Sequence, residues 1–224
     1  MVKALIFDSS SIISLTLNDL LFILKPLKEI YKGEFFITSQ IKRELITIPS
    51  NIKRFELEVL MIKKLIEEGI IKVYNSDINE LNKEVQSIMK IVNNTFKAKG
   101  EFIKIIHEGE TSIIALRRIL NKKNYEVNII VDERVTRFIC ENSSNLQEIL
   151  EHKLHTPIKK IKNVLTEEKC TVLRSSELAL IALEKGIINL PGNKKEVADA
   201  LLYGLKYQGC AITREDIEKA KKMF

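Results

Sequence analysis

The chain has 224 residues, 45% of them hydrophobic and 29% charged, which argues against intrinsic disorder and supplies a core for one large or two small domains. A formal net charge of +6 and a pI near 9.1 fit a polyanionic partner, although a lysine- and isoleucine-rich chain reaches the same balance without one. No apolar run approaches the ~18 to 20 residues of a membrane span, the start lacks a secretory signal pattern, and Cys140, Cys170 and Cys210 form no CxxC, so the expectation is a cytoplasmic protein with reduced thiols and no membrane contact.

Val2-Lys3-Ala4-Leu5-Ile6-Phe7 is a short apolar run broken only by Lys3, and it ends in Asp8-Ser9-Ser10-Ser11. Such a run predicts a strand buried on both faces in a parallel sheet, with Asp8 at the carboxyl edge where open α/β sheets place ligands. Ser9 to Ser11 are read as the cap of a helix whose apolar face begins with Ile12, Ile13, Leu15 and Leu17, and Pro26 as a break or first-turn residue before Ile30. Phe35-Phe36-Ile37 is a second strand. Thr38-Ser39 then caps a helix with apolar positions Ile41, Leu45 and Ile48, which carries Glu44 and ends at Pro49.

From Phe55 to Glu68 the spacing predicts an amphipathic helix through Leu57, Leu60, Met61, Lys64 and Leu65, stopped by Gly69 and followed by a third strand, Ile70 to Tyr74. Asp77 to Phe96 predicts another long helix, and Lys97 to Gly100 a basic break. His107-Glu108-Gly109-Glu110 opens a helix running to Leu120. Asn128 to Val131 is a fourth strand, which ends, like the first, in an acid, Asp132. Helical spacing continues through Val135, Phe138, Ile139, Leu146 and Ile149. Thr171 to Leu173 is a fifth strand, and Ser176 to Lys185 a helix capped by Gly186. Pro191-Gly192 marks a boundary, and Asn193 with Glu196 and Thr213 with Asp216 have the spacing of capping boxes. The expected fold is a three-layer α/β/α arrangement around a parallel sheet of about five strands in residues 1–190, with a helical extension in 191–224.

Four acids occupy comparable places. Asp8 and Asp132 end strands, Glu44 lies about a turn and a half into the helix after the second strand, and Glu110 opens the helix before the fourth. If the first and fourth strands are neighbours, both aspartates leave one sheet edge, and helices starting there bring Glu44 and Glu110 towards them. Carboxylates so crowded repel unless some are protonated or a cation neutralises them. An all-oxygen, highly charged set suits Mg²⁺ or Mn²⁺ rather than zinc, and such ions favour hydrolysis of a phosphodiester.

Leu5-Ile6-Phe7-Asp8-Ser9-Ser10, Ile37-Thr38-Ser39-Gln40-Ile41-Lys42-Arg43-Glu44, Gly109-Glu110-Thr111-Ser112-Ile113-Ile114-Ala115-Leu116 and Ile129-Ile130-Val131-Asp132-Glu133-Arg134 together resemble, in order, the motifs of the PIN-domain nucleases. The segment Ser176 to Ile188 is similar to that family's closing segment. The resemblance implies a metal-dependent ribonuclease selective for single strands, with Asp8, Glu44, Glu110 and Asp132 as catalytic and metal-ligating residues and Ser10 as a supporting polar contact. It also implies a homodimer, since pairing is common in that family. Residues 75–108 are longer than in compact toxin-type members, and the chain runs some 34 residues past Leu190, which favours an RNA-processing role.

Other readings compete. The same fold could serve as a catalytically weak or inactive RNA-binding or scaffold module. A haloacid dehalogenase-type nucleophile at Asp8 requires an aspartate two residues on, where this chain has Ser10. Glu108 competes with Glu110 for the site, since both flank Gly109 and either could simply favour the helix N-terminus, and Glu133 competes with Asp132, which its strand-end position favours. Asp199 and His107 read as surface residues. His152 and His155 have the spacing of metal ligands but no second pair. The basic clusters Arg117, Arg118, Lys122 and Lys123, then Lys159, Lys160 and Lys162, then Lys219, Lys221 and Lys222 read first as solvated faces, with phosphate contact in about one cluster of the three.

Overall fold

A computed structural model describes residues 1–141, 145–162 and 171–224. Its elements are β1 (Val2–Phe7), α1 (Ser9–Leu17), α2 (Leu24–Tyr31), β2 (Glu34–Ile37), α3 (Ser39–Lys42), α4 (Glu56–Glu67), β3 (Lys72–Val73), α5 (Ile78–Val92), β4 (Phe96–Ala98), β5 (Glu101–Phe102) and α6 (Glu108–Lys122). They continue with β6 (Tyr125–Ile130), α7 (Arg134–Glu141), α8 (Leu146–Leu154), β7 (Ile158–Lys160), β8 (Val172–Leu173), α9 (Ser175–Glu184), α10 (Lys194–Tyr207) and α11 (Arg214–Lys221). The main sheet has five parallel strands in the order β3-β2-β1-β6-β8, flanked by helices, and the C-terminal helices follow. The expected three-layer α/β/α fold is therefore present.

Strand β1 is central because its residues from Ala4 to Phe7 can be buried on either face; Phe7 packs on Phe35 of β2, ring centroids 5.2 Å apart. Its register with β6 runs from Val2 opposite Tyr125 to Phe7 opposite Ile130, so Asp8 and Asp132 leave neighbouring strands at the same edge. The bend Pro191-Gly192 is followed by both expected capping boxes, and α10 and α11 share the common core through Leu202, Leu205 and Ile217. Arg174 fastens this segment, pairing with Glu177 and, at 3.2 Å, with Asp216.

Several local expectations are corrected. The cap of α1 is Asp8 itself, whose side chain accepts from Ser10 N, and Ile13 and Leu17 are exposed. Pro26 falls in the first turns of α2 and does not break it, since a proline there forfeits no intrahelical bond. After α3 the chain winds as a π-turn, Arg43–Thr47, which carries Glu44. The extra residue per turn shifts the helical phase and turns Ile48 outward. Helix α4 buries Leu65 as expected, but with Val59 and Ile62 in place of Leu57 and Leu60, which are exposed. The predicted long helix stops at Val92, and the basic break is a β-turn hairpin: β4 and β5 join β7 in a second, antiparallel sheet of order β5-β4-β7.

Cys140 and Cys210 are buried, while Cys170 lies outside the described residues. Among the described residues no single helix is long and apolar enough to cross a membrane. The exchanged face of α4 is open to test by urea unfolding: Ile62→Ala is expected to cost about 2–5 kcal/mol, whereas Leu57→Ser and Leu60→Ser should each stay within about 0.5 kcal/mol of the parent.

Candidate functional site

Asp8 is 2% exposed. Its Oδ2 accepts from Ser10 N at 3.0 Å and from Ser10 Oγ at 2.5 Å, whereas Oδ1 is buried with no hydrogen-bond partner among the described residues. Burial pushes this carboxyl up to about 7; the two Ser10 donors oppose the rise, and the charges of Glu110 and Glu44 add to it. Those two acids, on separate elements, therefore lie within electrostatic reach of Asp8. The side chain of Ser10 also accepts from Asp132 N at 3.1 Å, tying the ends of β1 and β6 together.

Glu44, half-buried on the π-turn, accepts from Ser9 Oγ at 2.6 Å. Burial raises its pKa against that hydrogen bond, and Glu110 raises it further. Its carboxylate rests against the backbone of α6: a Cβ on Gly109 would lie 2.3 Å from Glu44 Oε1 and 2.9 Å from Cδ. Gly109 thus leaves the space that Glu44 occupies. Glu110, in the first turn of α6, bends back so that its Oε2 accepts from His107 N at 3.1 Å, a helix-start contact that leaves its other oxygen available. On its other side Glu44 walls an apolar cavity of about 230 Å³ with Ile13, Leu17, Leu45, Phe55 and Val59.

Asp132 reaches the same edge but turns inward. It is fully buried, its Oδ1 accepts from Ser175 N at 2.8 Å and its Oδ2 from Ser175 Oγ at 2.6 Å, so it caps α9. Its carbonyl accepts from Ala211 N at 3.1 Å, which anchors the C-terminal segment to the site edge. Neighbouring Glu133 accepts from Thr136 N at 2.7 Å and pairs loosely with Lys153 at 3.9 Å, on a polar cavity of about 560 Å³ lined also by Arg134 and His152. Glu108 is exposed and acts on Glu44 only through its charge.

The structure therefore gathers Asp8, Glu44 and Glu110, with Ser10 in support, and engages Asp132 elsewhere. Among the described residues, no three His, Cys, Asp or Glu side chains stand close enough to form a ready-made metal site. The donor chemistry nonetheless suits a hard cation, because Asp8 Oδ1 is an orphaned buried oxygen beside two further carboxylates, and Mg²⁺ commonly takes only one or two protein carboxylates and keeps several waters. Sequence reasoning missed Ser9, Gly109 and Ser175. Ser9 and Ser175 carried no signal beyond helix starts, and Gly109 was read only as part of a helix opening.

A scan against protein-family models finds no match, and comparisons with curated proteins and with solved structures also return none.

Two outcomes follow from this geometry. Asp8 holds its proton far above the usual carboxylate range, so in metal-free protein its contribution to stability is full below about pH 4 and is lost, at about 1.4 kcal/mol per pH unit, as pH rises to about 7. Asp8→Asn should remove that slope, so urea midpoints measured from pH 4.5 to 8 are expected to show the variant gaining on the parent as pH rises. Gly109→Ala should evict the Glu44 carboxylate. Its effect on Mn²⁺ affinity by calorimetry should shrink to nearly nothing when Glu44 is already Ala, the non-additivity of groups in contact.

Proposed function

We propose that this protein is a PIN-like, Mg²⁺- or Mn²⁺-dependent endoribonuclease that hydrolyses phosphodiester bonds of single-stranded RNA. The observation that carries the reading is the unpartnered, buried Oδ1 of Asp8, placed at the carboxyl edge of a parallel sheet with Glu44 and Glu110 within electrostatic reach. Asp8, Glu44 and Glu110 would hold the cation, which, when bound, lowers the pKa of a water and withdraws charge from a phosphoryl oxygen. Ser10 keeps Asp8 Oδ2 occupied, so Oδ1 is the oxygen left to face the site. Ser9 and Gly109 keep Glu44 against the start of α6.

The chemistry is one displacement. A water oxygen forms a bond to phosphorus, the bond from phosphorus to the leaving ribose oxygen breaks, and the products are a phosphomonoester and a hydroxyl. Glu44 or Glu110, both partly exposed, can take the proton released by the attacking water. No covalent intermediate on the protein is needed. Asp132 supports the site at one remove: with its carboxylate spent on Ser175, its backbone N–H orients Ser10, which in turn orients Asp8. The fold and the resemblance of the four motifs lend support, and four motifs in order weigh more than any one of them.

One observation favours the second reading, a non-catalytic RNA-binding or scaffold module: Asp132 and Glu110 are already committed to helix starts. A single assay separates the two. Purified protein should cleave a labelled single-stranded RNA when Mn²⁺ is added, and Asp8→Asn should slow cleavage at least about a hundredfold. No Mn²⁺-dependent cleavage, with parent and Asp8→Asn behaving alike and neither binding Mn²⁺ by calorimetry, leaves the non-catalytic module standing.

A further inference from the structure

The second sheet concentrates basic residues. Within residues 96–104 and 158–162, six lysines (Lys97, Lys99, Lys104, Lys159, Lys160 and Lys162) stand against one acid, Glu101. None of the six forms an ion pair among the described residues, whereas the other basic clusters are largely neutralised. Arg118 pairs with Glu84, Lys122 with Glu80 and Lys123 with Asp77; Lys219 pairs with Glu215 and Lys221 with Asp199.

Register sets out the face. Lys97 of β4 lies opposite Phe102 of β5 on one side and Lys159 of β7 on the other, so the three side chains form a row across the sheet. Phe96, Ala98, Ile158 and Lys160, which lies opposite Phe96, project to the other face, where Phe96 and Ile158 are buried, so Lys160 is not part of the outward row. In the outward row Phe102 is 48% exposed, with Lys97 Nζ 4.5 Å from its ring centroid. The sheet is also held firmly. Asn93 Oδ1 accepts from Ile105 N at 2.8 Å and its Nδ2 donates to Ile106 O at 3.0 Å, directly before α6 and Glu110. Ile158 N donates to Glu151 Oε1 at 2.9 Å, fixing β7 to α8.

We infer that this sheet is a docking platform for single-stranded RNA, the lysine row and its flanking lysines binding backbone phosphates and Phe102 stacking on a base, a reading that rests on the proposed ribonuclease activity. Charge complementarity selects a polyanion: lysines on adjacent strands, about 4.8 Å apart, present closely spaced point charges. The exposed ring set among them selects a strand with unstacked bases, since stacking on an aromatic side chain needs a free base face. Position selects the same ligand, because the hairpin runs through residues 103–107 into the helix that carries Glu110. An acidic site cannot hold an anionic strand unaided, and these cations lie on the hairpin that leads into the helix carrying Glu110.

The test is binding of a fluorescein-labelled single-stranded oligouridylate in EDTA, read by anisotropy across a salt series, so that no cleavage intervenes. The double variant Lys97→Glu/Lys159→Glu is expected to bind at least about tenfold more weakly, and Lys97→Ala/Lys159→Ala to flatten the salt slope by about 0.7 per cation removed. Phe102→Ala should weaken binding about tenfold with the slope unchanged. Lys122→Glu, on α6, should bind like the parent, and circular dichroism of each variant checks its fold. Equal affinity across correctly folded variants overturns the inference, as does preference for duplex RNA or for phosphatidylserine vesicles over the single strand. Asp8→Asn separates the two proposals. RNA bound here by both parent and Asp8→Asn, yet cut by neither, sinks the nuclease and leaves the platform; Mn²⁺-dependent cleavage and binding both indifferent to the lysine and Phe102 variants sink only the platform.

Discussion

A carboxyl group buried at the end of the central strand, with one oxygen satisfied, the other unmet and two further acids within electrostatic reach, is the constraint from which the rest of this edge follows. Two short donors from Ser10 would ordinarily favour the ionised form of Asp8, yet burial outweighs them and holds the proton up to about 7. The balance is therefore fine near neutral pH, and a positive charge arriving at Oδ1 would displace the proton and remove the desolvation cost together. If the edge binds a cation as proposed, its metal-free form carries a cost that binding would relieve.

The surroundings keep that cost from being relieved in other ways. Ser9 holds Glu44, Gly109 makes room for it, and the start of α6 holds Glu110, so neither glutamate swings freely into solvent to lessen the repulsion. Asp132 shows the opposite arrangement. Both its oxygens are met by Ser175, a complete pairing that allows a fully buried carboxylate to serve as a structural brace. Two aspartates at the ends of adjacent strands thus differ through their hydrogen bonding: Asp8 keeps an unmet buried oxygen and Asp132 does not.

The legible parts of the fold were those set by local pattern. The apolar run Ala4–Phe7 implied a central parallel strand, and the helix starts at Thr38, Asn193 and Thr213 were read from short-range chemistry that the structure repeats. Patterns that depend on helical phase were less secure: the π-turn at Arg43–Thr47 moved Ile48 outward, and α4, whose sequence has leucines or isoleucines around much of its circumference, buried a face set by its neighbours. The second sheet escaped because its strands are two or three residues long and rich in lysine, too short to alternate visibly. At the site, the acids were visible as strand-end and helix-start residues, but the choice of partner was not. Nothing near position 132 announces that Ser175, 43 residues away, will take both of its oxygens.

Charge placement joins the two halves of the functional proposal. The excess of six positive charges could be spread evenly, in which case it would say little about a partner. Among the described residues Arg118, Lys122, Lys123, Lys219 and Lys221 are matched by nearby acids, whereas six lysines without an ion pair lie close together on a small sheet joined to the start of α6. Exposed charges act over about one Debye length, roughly 8–10 Å at ordinary ionic strength, so matched pairs add little to the field at a distance, while closely grouped unmatched lysines reinforce one another locally. On the proposed function, a polyanion approaching this end would be drawn first to the lysines and would meet the carboxylates only where a bound cation had neutralised them, which would make metal loading and strand engagement cooperative by electrostatics alone.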